Sequence, residues 1–90
     1  MSKIIIPTPL RKFTGNTASV TVNGQNVEQA IQNLANTYPD LKQHLFDKEG
    51  SIRSFIRIFV GDEDIFSLER EKTPVKDDTV ISIVPAIAGG

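Results

Sequence analysis

Val80-Ile81-Ser82-Ile83-Val84, followed by Pro85-Ala86-Ile87-Ala88-Gly89-Gly90, is the stretch on which the reading of the fold turns. Its first five residues form a β-branched, apolar run, which is strand chemistry. The run is nearly continuous rather than alternating, so it is expected inside a sheet and parallel to the first strand. After Pro85 the side chains become small, and the last two residues have no Cβ. Such a backbone can thread a narrow channel and take dihedrals closed to other residues. It also leaves the terminal carboxylate open to attack from either face. A fraying terminus has no structural need for glycine; one that must enter another enzyme's active site does.

Working back from this strand, the other elements follow from period and punctuation. Lys3-Ile4-Ile5-Ile6-Pro7 reads as the first strand. Leu10 to Asn16 reads as a loop anchored by Phe13. Ala18, Val20 and Val22 alternate with Ser19 and Thr21, the period of a half-buried strand paired with the first as a hairpin. Val27, Ala30, Ile31, Leu34 and Tyr38 then recur at spacings of three and four and share one face of a helix. Asn26 stands at its N-cap, Gln29 at the capping-box position, and Pro39 closes it. Asn23-Gly24 is therefore a strand-to-helix turn.

Leu41 and Leu45 predict one further helical turn before a polar loop, Asp47 to Ser51. Phe55 to Val60 is the strongest strand, with Ile56, Ile58 and Val60 on one face and Phe55, Arg57 and Phe59 on the other. Gly61 to Asp64 reads as a solvated turn, Ile65-Phe66 as a short strand, and Asp77-Asp78 as the turn into the last strand. One helix laid across a mixed sheet of four to five strands is an α+β, β-grasp (ubiquitin-like) arrangement. Residues 1–90 are expected to form a single domain whose tail, 86–90, projects and is poorly ordered when free.

The chain has 90 residues, 39% hydrophobic and 23% charged, with a net charge of −1. That balance gives no general attraction to nucleic acid or anionic membrane, so neither is an expected partner. The longest apolar runs are too short to span a bilayer, and Met1-Ser2-Lys3 leads into no signal-peptide core. A cytoplasmic location is expected. The absence of cysteine excludes a disulfide scaffold, a thiolate zinc site and a cysteine nucleophile. His44 is the only histidine and has no second ligand at metal spacing, so no metal site is expected. Asp62-Glu63-Asp64 lacks the ligand number of a calcium loop. Lys3, Arg11 and Lys12 are expected near one end of the sheet.

Three segments, Ile56-Arg57-Ile58-Phe59-Val60-Gly61-Asp62-Glu63-Asp64-Ile65, Lys76 to Pro85, and Ala86-Ile87-Ala88-Gly89-Gly90, together resemble the ubiquitin-like sulfur carriers of the ThiS/MoaD type. Ile6-Pro7-Thr8-Pro9-Leu10-Arg11-Lys12-Phe13-Thr14-Gly15 further resembles the CysO-like branch, which delivers sulfur for cysteine synthesis. The resemblance implies that the Gly90 carboxylate is adenylated by an E1-like activating enzyme, which consumes ATP, and is then converted to a thiocarboxylate. It implies a sulfurtransferase or other sulfur donor, and a biosynthetic enzyme such as a cysteine synthase that accepts the sulfur. The chain would then be a covalent carrier and co-substrate, no enzyme, with no bound cofactor of its own. Carrying sulfur on the main chain needs no cysteine, which suits the composition.

On this reading Gly90 reacts, Gly89 and Ala88 form the slim neck, and Ile87 anchors the tail in a partner. Arg57 and Phe59 are the candidates for docking on the sheet face opposite the helix, with burial of Phe59 under a loop as the competing expectation. A ubiquitin-like modifier joined through Gly90 to lysines of other proteins needs the same activated terminus and is the alternative. A β-grasp binding domain with an unused Gly-Gly end is a third.

Overall fold

A computed structural model describes residues 1–85. Strands β1 (Ser2–Ile5) and β2 (Ser19–Val22) pair antiparallel, with Ile4 opposite Val20. Helix α1 (Val27–Thr37) follows, then a 3-10 turn at Pro39–Leu41 and the single turn α2 (Lys42–Leu45). Strands β3 (Ile56–Val60), β4 (Glu63–Asp64) and β5 (Val80–Pro85) complete a five-stranded sheet in the order β2-β1-β5-β3-β4. β5 lies at its centre, parallel to β1 and antiparallel to β3, with Ile81 in register with Ile4 and Ile83 with Ile58. This is the mixed β-grasp sheet with one main helix expected from the sequence. The expected behaviour of the tail falls on residues 86–90, outside those described.

One face of the sheet carries the core. Val27, Ala30, Ile31 and Leu34 of α1 are completely buried and share a cluster with Ile4, Ile56, Ile58, Ile81 and Ile83; Val60 is partly buried against it. Each large side chain buried there stabilises the fold by roughly 1.5–3 kcal/mol. The Asn26 carboxamide accepts the Gln29 N–H at 2.9 Å, as an N-cap should. The reciprocal bond is displaced by one residue: Gln29 Oε1 accepts the N–H of Gln25 instead of Asn26. Tyr38, before Pro39, has left the helical region (φ −125°, ψ 82°) and ends the helix.

Four expectations are corrected. Thr8–Phe13 is a 3-10 helix and not an open loop, and Leu10, 8% exposed, anchors it beside the half-buried Phe13. Ile65–Ser67 is a 3-10 turn and not a strand; the short strand is Glu63–Asp64, within the segment expected to be a solvated turn. The turn forms because Asp64 caps it through the N–H of Phe66 at 2.9 Å. β5 alternates in burial although its sequence does not: Ile81 and Ile83 are buried, whereas Val80 and Val84 are 40% and 42% exposed. Finally, Lys3 is in register with Val80 at the start of β5, while Arg11 Nε bonds the Ile6 carbonyl beyond the other end of β1. The expected basic concentration is therefore split between the two ends of the sheet.

Candidate functional site

The strand register defines where the C-terminal segment leaves the body. Pro85, the last residue of β5, lies opposite Ile56 at the start of β3, and Val84 lies opposite Arg57. β1 pairs with β5 only as far as Ser82, so the last two residues of the strand, Val84 and Pro85, are held at the exit by β3. Gly90, Gly89, Ala88 and Ile87, the reactive and neck residues expected from the sequence, lie beyond the described residues. Arg57 and Phe59 are placed at the foot of this exit, on the sheet face turned away from α1.

That open face is more apolar than an exposed sheet surface requires. Ile5, Ser82 and Phe59 stand in one cross-strand row, with Val80 and Val84 on either side along β5. Phe59 is half-buried and belongs to the open face, outside the buried core cluster. Arg57 is exposed, and its side chain projects from the same face as Phe59 because strand residues two apart point the same way. An apolar strip with a cationic rim is a surface suited to a partner that is also partly apolar.

Sequence reasoning missed Asp64. Its carboxylate receives Arg57 Nη2 at 3.0 Å and Nε at 3.3 Å on one oxygen, and the Phe66 N–H at 2.9 Å on the other. The side chain is only 16% exposed. The available signal was local: Asp is a favoured cap, and it precedes Ile65-Phe66-Ser67. The backbone bond from Phe66, then the bond from Arg57, hold the carboxyl below its ordinary value of 3.8. Ionised Asp64 therefore stabilises the fold at pH values above 3.8, and that contribution is lost as pH falls through the lower folded value. Asp64→Asn is expected to flatten the acid limb of a stability-pH curve measured by urea melts between neutral pH and the acid transition. An acid limb as steep as the wild type's would show that the pair is not formed in solution.

His44 stacks on Phe13, ring centroids 4.5 Å apart, and tethers the Thr8–Phe13 turn to α2. Among the described residues no group of three His, Cys, Asp or Glu side chains could hold a metal ion, and no helix is long and apolar enough to cross a membrane.

Residues 4–90 match the ThiS family. The chain belongs to that family. The match runs through the glycines beyond β5, not only through the folded body. Sulfur carrier protein CysO of Mycobacterium tuberculosis is 34% identical over 89 residues, covering 97% of this chain and 96% of that protein. A chain in the crystal structure of the Amycolatopsis orientalis BexX/CysO complex superposes with a TM-score of 0.89 at 33% identity, with both chains fully covered. The small archaeal modifier protein 1 of Methanosarcina acetivorans gives a TM-score of 0.89 at 28% identity, covering 99% of this chain and 95% of that one.

Proposed function

We infer that this chain is a CysO-like sulfur carrier, loaded and unloaded at Gly90. The observation that carries the reading is the joining of a fixed central strand to a slim Gly-Gly end within a ThiS-family match that extends to residue 90. Beyond Pro85 five residues remain, enough to reach at most about 17 Å when extended. That length suits entry into a partner's channel while the folded body rests against its mouth.

The chemistry asks little of the carrier. A carboxylate is a poor electrophile, so an E1-like enzyme first joins an oxygen of Gly90 to the α-phosphorus of ATP and releases pyrophosphate. Sulfide from a sulfurtransferase or other donor then attacks the acyl carbon and expels AMP, leaving a thiocarboxylate. Its sulfur is nucleophilic and ionised at neutral pH, and it attacks the substrate held by an accepting enzyme, a cysteine synthase on the CysO likeness. ATP belongs to the activating enzyme, and the carrier binds no cofactor. Gly89 and Ala88 keep the neck narrow, Ile87 gives it one apolar anchor, and Arg57 with Phe59 seats the body on the partner.

The mass of the protein purified from its native cell tests this reading. The expected spectrum contains a species heavier by the difference between sulfur and oxygen, which reverts on hydrolysis with release of sulfide. The likeness to an archaeal modifier protein supports a second reading, in which the activated Gly90 is joined to lysine side chains. Isopeptide-linked conjugates without any thiocarboxylate would favour that alternative.

A further inference from the structure

The charges of this nearly neutral chain are sorted by end. In the half where β5 finishes lie Arg11, Lys12, Lys42, Lys48, Arg53 and Arg57, against Asp40, Asp47, Glu49 and Asp64, the last paired with Arg57. Arg11 Nε bonds the Ile6 carbonyl, the Arg53 main-chain N–H bonds the Leu45 carbonyl, and Arg57 is in register with Val84, which places these three residues toward the end where β5 finishes. The other half, where β5 begins and α1 starts, holds the remaining four side-chain cations, the Met1 ammonium paired with Asp77, and seven side-chain carboxylates. Among its exposed acids, Asp62 and Glu63 lie next to the Asp77-Asp78 turn, the two segments being joined by the Gly61 N–H on the Val80 carbonyl.

The described residues span 28 × 25 × 25 Å, roughly three times the ~8 Å Debye length at physiological salt. A partner at one end is therefore screened from the other. It meets the cationic half alone and not an average charge near zero.

We propose that the cationic half is a steering surface for an enzyme whose channel mouth is rimmed with carboxylates. The inference rests on the carrier reading and adds the partner's chemistry to it. The field orients the carrier with its tail toward the channel before contact, and the acidic far half is repelled from the same rim. Orientation matters because only one end of the carrier can react; charge complementarity of this kind acts mainly on association rate. A nucleic acid is disfavoured as occupant, because Asp40, Asp47 and Glu49 interrupt the cations and would face phosphates.

Lys42→Glu/Lys48→Glu reverses two exposed charges that make no hydrogen bond from their side chains among those described. Lys72→Glu/Lys76→Glu makes the same net change at the other end. With the cognate activating enzyme at low salt, the tail-end pair is expected to raise the KM for carrier about tenfold or more, with kcat at saturation retained. The far-end pair is expected to leave KM within about twofold, and high salt should bring the two variants together. Equal KM values for both pairs at low salt would overturn the proposal, whereas a wild type that supports no exchange at all would instead sink the carrier reading.

An arm independent of that reading titrates the isotope-labelled protein with poly-glutamate and with duplex RNA. Amide shifts confined to Lys12, Lys42 and Lys48 on adding poly-glutamate support the proposal. Perturbation spread over both ends, or tighter binding of the RNA at these residues, overturns it.

Discussion

Deletion of Gly90 is expected to abolish ATP–pyrophosphate exchange by the activating enzyme while leaving the folded body intact. The deleted residue carries the carboxylate that becomes the mixed anhydride, and Ala88-Gly89 would end short of the reacting phosphorus by one residue, about 3.3–3.6 Å. Misplacement on that scale removes the alignment on which such a step depends. Gly89→Val keeps the length and is expected to lower exchange about 100-fold or more. Its branched Cβ adds bulk where a channel must close on bare backbone, and it excludes the positive-φ conformations open to glycine. Neither change touches the core, whose buried residues run from Ile4 to Ile83. Melting temperatures are expected to move by less than about 4 °C, the range of an ordinary surface substitution. Normal exchange by the deletion variant would end the carrier reading. Loss of exchange together with a large fall in melting temperature would make the tail a structural element.

The sequence made the helix and sheet order readable because α1 and β3 have unambiguous periods. Four of the five apolar positions at helical spacing, Val27, Ala30, Ile31 and Leu34, form the buried face of α1 between Asn26 and Pro39; the fifth, Tyr38, follows the helix and is half-buried, and Ala35, not named from the spacing, completes the face. β5 shows a different lesson. Its central, parallel position was inferred from a continuous apolar run, yet the sheet is covered on one face only. Val80 and Val84 point out of the open face beside Arg57 and Phe59. A valine exposed for a partner and a valine buried in a core are the same letter, so the pattern located the strand correctly and misjudged its second face.

Asp62 to Phe66 was hidden for another reason. A two-residue strand is shorter than any period that could reveal it, and apolar-in, apolar-out order at Ile65-Phe66 fits a 3-10 turn as well as a strand. The Arg57–Asp64 pair spans seven positions around a hairpin. It depends on the register of β3 with β4, which no local spacing encodes. Arg57 and Phe59 could be assigned to the face opposite the helix by alternation alone, but the partner that fixes Arg57 could not. The sorting of charge between the two ends was hidden similarly, since Lys3 and Arg11 are near in sequence and become separated only by the direction of β1.

Gly24→Ala is expected to cost about 2–3 kcal/mol, a large loss for a substitution outside the hydrophobic core. Gly24 joins β2 to α1 at φ +156°. A Cβ built there would lie 2.7 Å from the Ala30 nitrogen, 3.0 Å from its Cα and 3.2 Å from the Gln29 carbonyl carbon. All three are backbone atoms in the first turns of α1, so no rotamer change relieves the contact. Either the helix start moves away from the sheet, loosening Val27, Ala30 and Ile31 in the core, or the turn opens and strains the 2.6 Å bond from Asn33 Nδ2 to the Asn23 carbonyl. For a domain of this size the corresponding fall in melting temperature is about 10–20 °C. Gly61→Ala is the informative control. Gly61 has φ +62° but open space around its Cβ position, so it should cost only the left-handed backbone preference, about 1–2 kcal/mol. Thermal and urea melts of the two variants separate steric contact from backbone strain. Because Gly24 lies at the end of the sheet opposite the tail exit, its alanine variant should still support exchange below its melting transition. A Gly24→Ala protein no less stable than Gly61→Ala would mean that the helix start yields freely and is not fixed by this contact.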